Sequence, residues 1–437
     1  MKVKVVSRKL VKPRTPTPQN LKNYNISFMD ELNPTMNVNA ILYYQPDHDT
    51  NTTNETLTKR LDESLAEILP HFYPFAGRYI KKHHLVDCSD QGAEIVAANV
   101  ELELRQIIHN PSPKELNDLL PRESGAADEE EDPILSIQIN KFNCGGIAIG
   151  ICISHRIIDA SSLGTFISAW TKASRGGDGD GDAVVPSFDG PVFLPGKNFP
   201  TPEFWLTRTR ENALYNIGCK IFKFDKDAIS RLKERAAAAL VTTGESRPPS
   251  RNAVISGLMI SAIAGLERAR HGQERDLLVV QAVNMRGRTV PPLPKHSCGN
   301  LAALAITECS REEIKNMGFL DFVRVLRRDI GKTVGDCAKL LSEEGHKSLI
   351  DTSEYASAKS LGHDVNVVWL TDWTKFPFYE ADFGWGKPVW ASVVDVFIKN
   401  HVTMMTTKEG DGVEAWVQLE EREMDSFQNQ IKFLMAG

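Results

Sequence analysis

The sequence feature that most constrains the fold is a strand, strand and helix pattern in the N-terminal half. Ile134 to Phe142 alternates apolar and polar residues, as a half-buried strand does, and Gly145 and Gly146 separate it from the apolar run Ile147 to Ile153. We expect these two strands to form a hairpin. The chain then crosses from strand to helix, because apolar residues recur at helical spacing at Leu163, Phe166, Ile167 and Trp170.

Helical and strand-like patterns also alternate in the rest of the 437 residues. The apolar stripe from Leu57 to Leu69 predicts an amphipathic helix that Pro70 ends. In the second half, helical spacing covers Asp227 to Leu240 and Ile255 to Ala269. Strand-like runs cover Leu277 to Val283, Ala302 to Ile306 and Asn366 to Leu370. Helices and strands therefore mix in both halves, which predicts an α/β or α+β fold.

Two irregular stretches interrupt this pattern. The acidic run Asp128 to Asp132 is interpreted as a solvated loop, and the Gly, Pro and Asp-rich stretch from Arg175 to Pro202 as an interdomain crossover. Within it, Asp178 to Asp182 weakly resembles a calcium loop, but Ala183 stands where that loop needs glycine, so a linker is the better interpretation. We predict an N-terminal domain, a crossover loop and a C-terminal domain at residues 1–174, 175–210 and 211–437.

Charge and cysteine content narrow the class of protein. The 51 Lys and Arg residues against 57 Asp and Glu residues leave a net charge of −6, which argues against a protein that coats nucleic acid or an anionic membrane. The seven cysteines form an odd number without CxxC spacing, which favours reduced thiols. The N-terminal residues lack the apolar core of a signal peptide, and the longest apolar stretch is too short for a membrane helix. We therefore expect a cytoplasmic protein that binds neither nucleic acid nor membranes.

The segment from Ser154 to Asp159 stands out because it lies where a strand passes into a helix. The sequence contains no GxGxxG, phosphate-loop, HExxH or GxSxG motif that would point elsewhere. One interpretation is structural: His155 ends the strand, and Asp159 or Ser161 caps the helix. The other interpretation makes His155 a general base, because an imidazole can take a proton at neutral pH and return it later.

His155 and Asp159 form an HxxxD motif, and residues Asp382 to Gly386 read Asp-Phe-Gly-Trp-Gly. Together these motifs resemble the two signature motifs of the plant BAHD acyltransferases. Further stretches similar to that family follow in the expected order, at Pro16 to Gln19, Asp30, His71 to Arg78, Gln281 to Arg286, Gly299 and Asn300, and Gly412 to Trp416. The resemblance covers almost the whole chain.

This resemblance implies an α/β fold of two similar-sized domains of the chloramphenicol acetyltransferase-like type, with mixed sheets flanked by helices and a channel at the domain interface. It implies that His155 lies midway along the channel and that a segment near residues 370–400 packs on the N-terminal domain. The implied activity is acyl-CoA-dependent O-acyl transfer. In it, His155 takes the proton of an alcohol, or less often of an amine, while that alcohol or amine attacks the thioester. Acyl-CoA is then a co-substrate, with no tightly bound cofactor and no metal.

The resemblance also implies roles for residues in the second half. Thr371 and Trp373 match an element that family members place near the reaction centre, so we expect them to stabilise the oxyanion or to position substrate. Core packing is the alternative for Trp373. Ser250 and Arg251 align with a segment that faces the coenzyme, where a cation can bond phosphate. An exposed helix start is the alternative for this pair.

Other matching residues are expected to be structural. Asp159 is expected to form a buried ion pair with Arg286, with Arg288 as the second choice, and so to shape the loop that carries His155. In the second motif, a folding role remote from the channel is implied for Asp382, Gly384, Trp385 and Gly386.

Within the family, the chain is most similar to the alkaloid and terpenoid alcohol acetyltransferases of the vinorine synthase kind. Pro16 to Gln19, Val86 to Cys88 and Gln281 to Arg286 carry that similarity. It implies a monomer that transfers acetyl from acetyl-CoA to a hydroxyl of a plant specialised metabolite. Two alternatives stay open. One is a catalytically silent binder of small molecules, and the other is an esterase whose nucleophile is Ser154 or Ser161. Adjacent strand residues point to opposite faces, which disfavours Ser154.

Overall fold

The computed structural model describes residues 1–33, 35–46, 54–123, 129, 131–176, 184–200, 216–241, 248–272, 275–361, 365–396 and 398–436. Asp178 to Asp182, within the predicted crossover, lie outside the described residues, as do Asp128 and Glu130 of the acidic run.

Strands and helices alternate along the chain. The strands are β1 (Val3–Val11), β2 (Asn23–Asn25), β3 (Asn37–Tyr44), β4 (Arg78–Ile80), β5 (Leu85–Asp87), β6 (Ala93–Val100), β7 (Leu135–Phe142), β8 (Ile147–Ser154), β9 (Ile217–Phe224), β10 (Asp276–Asn284), β11 (Ala302–Cys309), β12 (Val365–Asp372), β13 (Trp390–Ser392), β14 (His401–Thr406) and β15 (Val413–Glu420). The α-helices are α1 (Phe28–Glu31), α2 (Asn54–Ile68), α3 (Leu104–His109), α4 (Pro113–Leu116), α5 (Ala160–Ser174), α6 (Gly190–Phe193), α7 (Lys226–Val241), α8 (Arg251–His271), α9 (Arg311–Ile314), α10 (Phe319–Asp336), α11 (Glu343–Leu361) and α12 (Glu421–Ala436). Short 3-10 turns lie at Gln19–Leu21, Tyr73–Ala76, Lys81–His83, Asn117–Leu119, Cys337–Lys339 and Phe378–Glu380.

The elements predicted from hydrophobic spacing are confirmed. The predicted hairpin is the antiparallel pair β7 and β8, and the helix after it is α5. The stripe from Leu57 to Leu69 lies in α2, except that the helix ends at Ile68. The predicted helices of the second half are α7 and α8, and the predicted strands are β10, β11 and β12.

The chain divides into two compact units. The first contains Met1–Thr201, Pro294–Leu301 and Phe376–Val396, and the second contains Pro202–Leu293, Ala302–Lys375 and Phe397–Gly437. Each unit therefore combines segments that are distant in sequence. The domain limits at 1–174, 175–210 and 211–437 stay a prediction.

Within the described residues, the first unit holds a six-stranded mixed sheet in the order β1-β6-β7-β8-β3-β13 and a three-stranded sheet in the order β2-β5-β4. In the larger sheet, β6 and β7 run parallel and the other neighbours run antiparallel. The strand β8 is buried along its whole length. Its continuous apolar run follows from this position, because a strand covered on both faces has no solvent side for polar residues.

Aromatic side chains hold α5 in the core of the first unit. Phe166 meets Phe72 edge-on with 5.4 Å between ring centroids, and it stacks on Trp170 at 5.8 Å. Trp170 meets Phe383 at 4.8 Å, and its indole N–H donates to the Ser64 hydroxyl at 3.1 Å. Such ring pairs contribute about 0.5–1.5 kcal/mol each beyond the area they bury. The packing of the apolar face of α5 therefore fixes the position of its start, which Asp159 directly precedes.

The described part of the second unit holds another six-stranded mixed sheet, in the order β11-β10-β12-β14-β15-β9. Here β12 runs parallel to β10 and to β14. Helix α8 packs against α7, α10 and α12, and it is apolar on most sides because it lies in the core. The predicted α/β class, with mixed sheets in two units and flanking helices, is confirmed. Across the described ranges, we find no helix that combines the length and the apolar character needed to cross a membrane.

Gly257 of α8 generates a test of this packing. A Cβ at position 257 would lie 2.4 Å from Val323 Cγ2 and 3.0 Å from the Val323 nitrogen on α10. We expect Gly257→Val to lower the free energy of unfolding by about 1–3 kcal/mol, because the core is overpacked. Gly331→Ala is the matched control, since position 331 of α10 has open space and alanine favours a helix interior by about 0.5–1 kcal/mol. Urea unfolding followed by circular dichroism measures both, and a Gly257→Val protein as stable as the parent would contradict the packing.

Candidate active site

His155 follows the last residue of β8, and its main chain is held on both sides. Its N–H donates to the Met36 carbonyl oxygen at 2.8 Å, which extends the β3–β8 ladder beyond the pair Asn37 and Ser154. Its carbonyl oxygen accepts a hydrogen bond of 2.6 Å from Asn300 Nδ2. Because both backbone groups of His155 are bonded, the direction in which the imidazole leaves the chain is well determined.

The surroundings of the His155 imidazole favour its neutral form. Burial lowers its pKa from the usual value of 6.5, and the Arg156 charge acts in the same direction. The His155 carbonyl, the Asp159 charge and the Asn300 side chain act in the opposite direction. With a pKa below the usual value, the imidazole is neutral at pH 7, and a neutral imidazole has a nitrogen that can accept a proton.

Asp159 caps α5 and also binds a segment that is distant in sequence. Its Oδ1 accepts the backbone N–H and the hydroxyl hydrogen of Ser162, both at 2.9 Å. Its Oδ2 accepts the Leu301 N–H at 3.1 Å. The Ser162 hydroxyl oxygen in turn accepts the Gly299 N–H at 3.2 Å. The sequence offers Asp159 or Ser161 as the cap of α5, and in the structure Asp159 is the cap. The same carboxylate also bonds the 299–301 segment.

Asn300 connects this segment to α1 through Asp30. Asp30 Oδ1 accepts both the backbone N–H and the Nδ2–H of Asn300, each at 2.9 Å. Asp30 Oδ2 accepts the Ser27 N–H at 2.8 Å and the Ser27 hydroxyl at 2.7 Å. Burial raises the pKa of Asp30, and the hydrogen bonds from Ser27 and Asn300 act against it. The side chains of Asp30 and Asn300 are buried, so each loses much if its partner is removed.

Arg156 holds the other end of α1. This side chain is buried, and its guanidinium donates to the carbonyl oxygens of Glu31 at 2.8 Å, Asn33 at 3.0 Å and Asp30 at 3.3 Å. A cation is favourable at the C-terminal end of a helix, where carbonyl oxygens lack intrahelical partners. Arg156, which follows His155, and Asn300, which bonds the His155 carbonyl, are therefore both bonded to α1.

The Asp382 to Gly386 turn lies in the first unit. Asp382 Oδ1 accepts the N–H groups of Gly384 at 2.7 Å and Gly386 at 3.0 Å. Both glycines have positive φ, 104° and 102°, where a side chain would be strained. Trp385 stacks on the buried Phe383 with 5.3 Å between centroids. All of these contacts belong to the turn and its core packing, and the folding role expected for the motif stays a prediction.

Thr371 and Trp373 lie at the end of β12, in the second unit. Thr371 Oγ1 lies 3.5 Å from His401 Nε2, and Thr403 Oγ1 lies 3.4 Å from His401 Nδ1. Burial lowers the pKa of His401 to about 4, so its imidazole is neutral. The backbone N–H of Trp373 donates to the Met404 carbonyl at 2.8 Å. The expected oxyanion role of Thr371 and Trp373 stays a prediction.

Ser250 and Arg251 begin α8, also in the second unit. Ser250 is the N-cap, and its hydroxyl accepts the Ala253 N–H at 3.1 Å. The Arg251 guanidinium donates to the Gly410 carbonyl. The pair thus forms the helix start that the sequence analysis names as an alternative, and its binding of coenzyme stays a prediction.

Arg286, the expected partner of Asp159, follows β10. Its guanidinium donates to Asn284 Oδ1 at 3.1 Å, and Arg288 donates to the Asn284 carbonyl. The ion pair of Asp159 with Arg286, or with Arg288 as the second choice, stays a prediction.

The first unit thus brings together His155, Asp159 and three buried polar residues to which the sequence analysis assigns no role. They are Asp30, Arg156 and Asn300. Asp30 and Asn300 appear in the sequence analysis only within stretches similar to the family, and Arg156 only within the segment from Ser154 to Asp159. In the parts of the chain described, no three His, Cys, Asp or Glu side chains are grouped so that they could hold a metal ion.

A neutral histidine held at the end of a buried strand can accept a proton. The comparisons with known proteins show the family to which this α/β chain belongs. The family model described as "Transferase family" matches residues 1–434, and the chain belongs to this family, the BAHD acyltransferases. The resemblance inferred from the motifs is confirmed.

Three relatives illustrate this membership. A pelargonidin 3-O-(6-caffeoylglucoside) 5-O-(6-O-malonylglucoside) 4'''-malonyltransferase of Salvia splendens is 38% identical, with 99% of each chain covered. Vinorine synthase of Rauvolfia serpentina is 36% identical over 96% of this chain and 94% of that protein. A crystal structure of vinorine synthase matches 99% of this chain and 98% of its own with a TM-score of 0.84 at 33% identity. Stemmadenine O-acetyltransferase of Catharanthus roseus is 33% identical, with 99% and 98% covered. The chain is therefore an acyl-CoA-dependent O-acyltransferase.

The shared cap at Asp159 generates a stability prediction. Asp159→Ala should lower the free energy of unfolding by more than the roughly 0.5–2 kcal/mol of an ordinary cap, because it also releases the Leu301 N–H. An uncompensated charge on Arg286 would add to the loss if the two residues pair. His155→Ala should leave the melting temperature unchanged. Thermal and urea unfolding provide the measurements.

Ser250→Ala is the matched control for Asp159→Ala, because it removes an N-cap with a single backbone contact from α8. The double variant Asp159→Ala with Arg286→Ala tests the ion pair, since paired residues lose less together than the sum of their single losses. If Asp159→Ala matched Ser250→Ala in stability, the contact to Leu301 would contribute nothing. If Asp159→Ala also lost activity as fully as His155→Ala, the structural role assigned to Asp159 would be wrong.

The lowered pKa of His155 generates a pH prediction. A general base works in its neutral form, which is present above the pKa and lost as the pH falls through it. Because burial lowers that pKa, the acid limb of kcat/KM should have its midpoint below 6.5, and the rate should be flat from there to neutral pH. The assay should use an acceptor alcohol without an ionising group, so that titration of the substrate does not contribute to the pH profile of kcat/KM. An acid limb centred above 6.5 would contradict a desolvated base.

Proposed function

We propose that this chain transfers an acetyl group from acetyl-CoA to a hydroxyl of an alkaloid or terpenoid alcohol, with His155 as the general base. The observation that carries the proposal is the His155 site itself, where a half-buried neutral imidazole follows β8 and both backbone groups of the residue are bonded. Similarity to stemmadenine O-acetyltransferase and vinorine synthase supports the acetyl donor and the alkaloid class. The Salvia splendens relative makes malonyl transfer to a pigment glucoside the competing choice.

The proposed acetyl transfer needs one base, His155. The imidazole of His155 takes the hydroxyl proton while the alcohol oxygen forms a bond to the thioester carbonyl carbon, and the carbonyl electron pair moves to oxygen. The tetrahedral oxyanion then collapses, the carbon–sulfur bond breaks, and the imidazolium returns its proton to the coenzyme A sulfur. Acyl transfer is thus direct and needs no acyl-enzyme. Because the imidazole both takes and returns the proton, the proposed mechanism needs no metal ion and no resident cofactor.

Thr371 is the proposed donor to the oxyanion, with Trp373 as a positioning residue. His401 is neutral, so only one of its ring nitrogens carries hydrogen. If that hydrogen is on Nε2, it points to Thr371 Oγ1, 3.5 Å away, and leaves the threonine hydroxyl hydrogen for another acceptor. A single donor of this kind commonly contributes about 3–4 kcal/mol to the stability of such a transition state.

Ser250 and Arg251 are the proposed contacts for the coenzyme phosphates. They lie at the N-terminus of the 21-residue helix α8, where backbone N–H groups and the helix dipole favour an anion. Ser250 is exposed, and the Arg251 guanidinium, held by the Gly410 carbonyl, still has further N–H donors. We also propose that the protein works as a monomer in the cytosol.

The decisive experiment measures thiol release by the purified protein with acetyl-CoA, malonyl-CoA and a panel of alkaloid, terpenoid, phenolic and glucoside alcohols. Acetyl-CoA with an alkaloid or terpenoid alcohol is expected to give the highest kcat/KM, and EDTA should leave the rate unchanged. His155→Ala should lower kcat by about 10²- to 10⁴-fold without loss of folding.

His296→Ala is the matched control, because it replaces another histidine of the first unit that the mechanism does not use. A malonyl preference would overturn the donor, and a pigment glucoside preference would overturn the acceptor class. Acyl hydrolysis to the free acid in place of ester formation would indicate the esterase. A folded protein that binds alcohols but releases no thiol with any pair would be the silent binder.

A further inference from the structure

The side chain of Asn252 bonds the start of α8 to the end of β12 within the second unit. Its Nδ2 donates to Asp372 Oδ2 and, at 2.7 Å, to the Thr374 hydroxyl oxygen. Asn252 directly follows the proposed phosphate contacts in the chain, and Asp372 lies between the proposed oxyanion donor and its positioning residue. One side chain thus joins two segments that are proposed to bind different parts of the same acyl-CoA.

The three side chains form a closed ring of hydrogen bonds. Asp372 Oδ1 accepts the Thr374 backbone N–H at 2.9 Å and the Thr374 hydroxyl hydrogen at 2.7 Å. Because that hydroxyl hydrogen goes to Asp372, the hydroxyl oxygen is left to accept from Asn252. Rotating the Asn252 amide by half a turn would place its oxygen against the Asp372 carboxylate. Both Nδ2 hydrogens of Asn252 are therefore used in this ring.

The end of β12 is paired with strands on one side only. Within the described residues, β12 pairs with β10 as far as Leu370, whereas Thr371 and Asp372 pair with β14 alone. The Trp373 N–H continues that ladder to the Met404 carbonyl at 2.8 Å. The bonds from α8 are therefore an additional anchor for a segment that lacks a second strand neighbour.

Adjacent residues at the end of β12 lie on opposite faces of the sheet. Val368 and Leu370 belong to the core cluster that also contains residues of α8, so Asp372 lies on the α8 side. Thr371 lies on the other side, where its Oγ1 is 3.5 Å from His401 Nε2. A bond that holds the Asp372 side chain on one face therefore also fixes the direction in which the Thr371 side chain leaves the other.

We propose that Asn252 is a positioning residue that keeps the proposed phosphate contacts and the proposed oxyanion donor at a fixed separation. Binding energy from a remote part of a substrate can align its reacting part only when the two binding places do not move relative to each other. Asn252 acts through Asp372 and takes no part in bond making. This inference rests on the proposed roles of Arg251 and Thr371.

Loss of the Asn252 contacts should change position more than stability. Asp372 is exposed, and bonds to an exposed carboxylate compete with water. Helix α8 also keeps its Ser250 cap and its core packing when Asn252 is replaced. We therefore expect Asn252→Ala to fold with a melting temperature close to that of the parent.

The first test compares acetyl-CoA with S-acetylpantetheine, a donor that lacks the phosphates, in the thiol-release assay. We expect Asn252→Ala to lower kcat/KM by about 10-fold or more with acetyl-CoA and by less than about threefold with S-acetylpantetheine, because an unanchored donor can follow a shifted Thr371. Asn216→Ala is the matched control, since it removes another amide bond to an exposed carboxylate of the second unit, that of Glu421. It should leave both values unchanged.

Unchanged kinetics of Asn252→Ala would overturn the proposal, and so would an equal loss with both donors, which would mean a merely structural role. Arg251→Ala and Thr371→Val test the proposed function separately. The first should slow the reaction with acetyl-CoA alone, and the second should slow it with both donors. If either has parental kinetics, that part of the proposed function fails and this inference fails with it. If both behave as expected and Asn252→Ala does not, only the inference fails.

A swapped pair tests the contact itself and needs only acetyl-CoA. Asn252→Asp places two carboxylates against each other, but an acidic residue in the first turn favours the helix, so the variant should fold. Adding Asp372→Asn restores an amide-to-carboxylate bond in the reverse direction and keeps an oxygen at position 372 for the Thr374 N–H. We expect Asn252→Asp to lower kcat/KM by about 10-fold or more and the double variant to recover most of that loss. A double variant no faster than Asn252→Asp overturns the proposal, even if Asn252→Ala does not fold.

Discussion

The site depends on three consecutive backbone N–H groups that are bonded by side chains from elsewhere in the same unit. The Gly299 N–H goes to the Ser162 hydroxyl, the Asn300 N–H to Asp30 and the Leu301 N–H to Asp159. None of these groups has a ladder partner, because the segment belongs to no strand, so the side chains satisfy buried donors that would otherwise be costly. The segment in turn supplies the amide that bonds the His155 carbonyl.

This arrangement explains why His155, the proposed general base, can lie in a turn and still be well placed. A loop residue is usually mobile, but the His155 N–H continues the β3–β8 ladder and its carbonyl meets Asn300. The next residue, Arg156, is buried on the carbonyls of α1. The packing of α5 against aromatic side chains places the cap residue. Because these backbone groups are already bonded, the proposed base loses less entropy when it meets its substrate.

The same contacts moderate the pKa of the His155 imidazole. Burial alone lowers the pKa of an imidazole, and the Asp159 charge and the Asn300 side chain oppose it. A base with a very low pKa would take a proton poorly, and one with a high pKa would already be protonated at neutral pH. The His155 carbonyl, the Asp159 charge and the Asn300 side chain thus moderate the effect of burial on this pKa.

The sequence by itself determined several of the elements, the α/β class and the family, and it predicted His155 as the base. Hydrophobic spacing is a local property, and it correctly located α2, α5, α7 and α8 and the β7–β8 hairpin, because burial of one face sets the period. Only the tertiary structure decided which residues surround the base. Asp30, Asn300 and Leu301 are separated from His155 and Asp159 by over a hundred positions, and no periodicity links them. Their meeting depends on how the chain satisfies its buried polar groups, which is a property of the folded molecule and not of any segment.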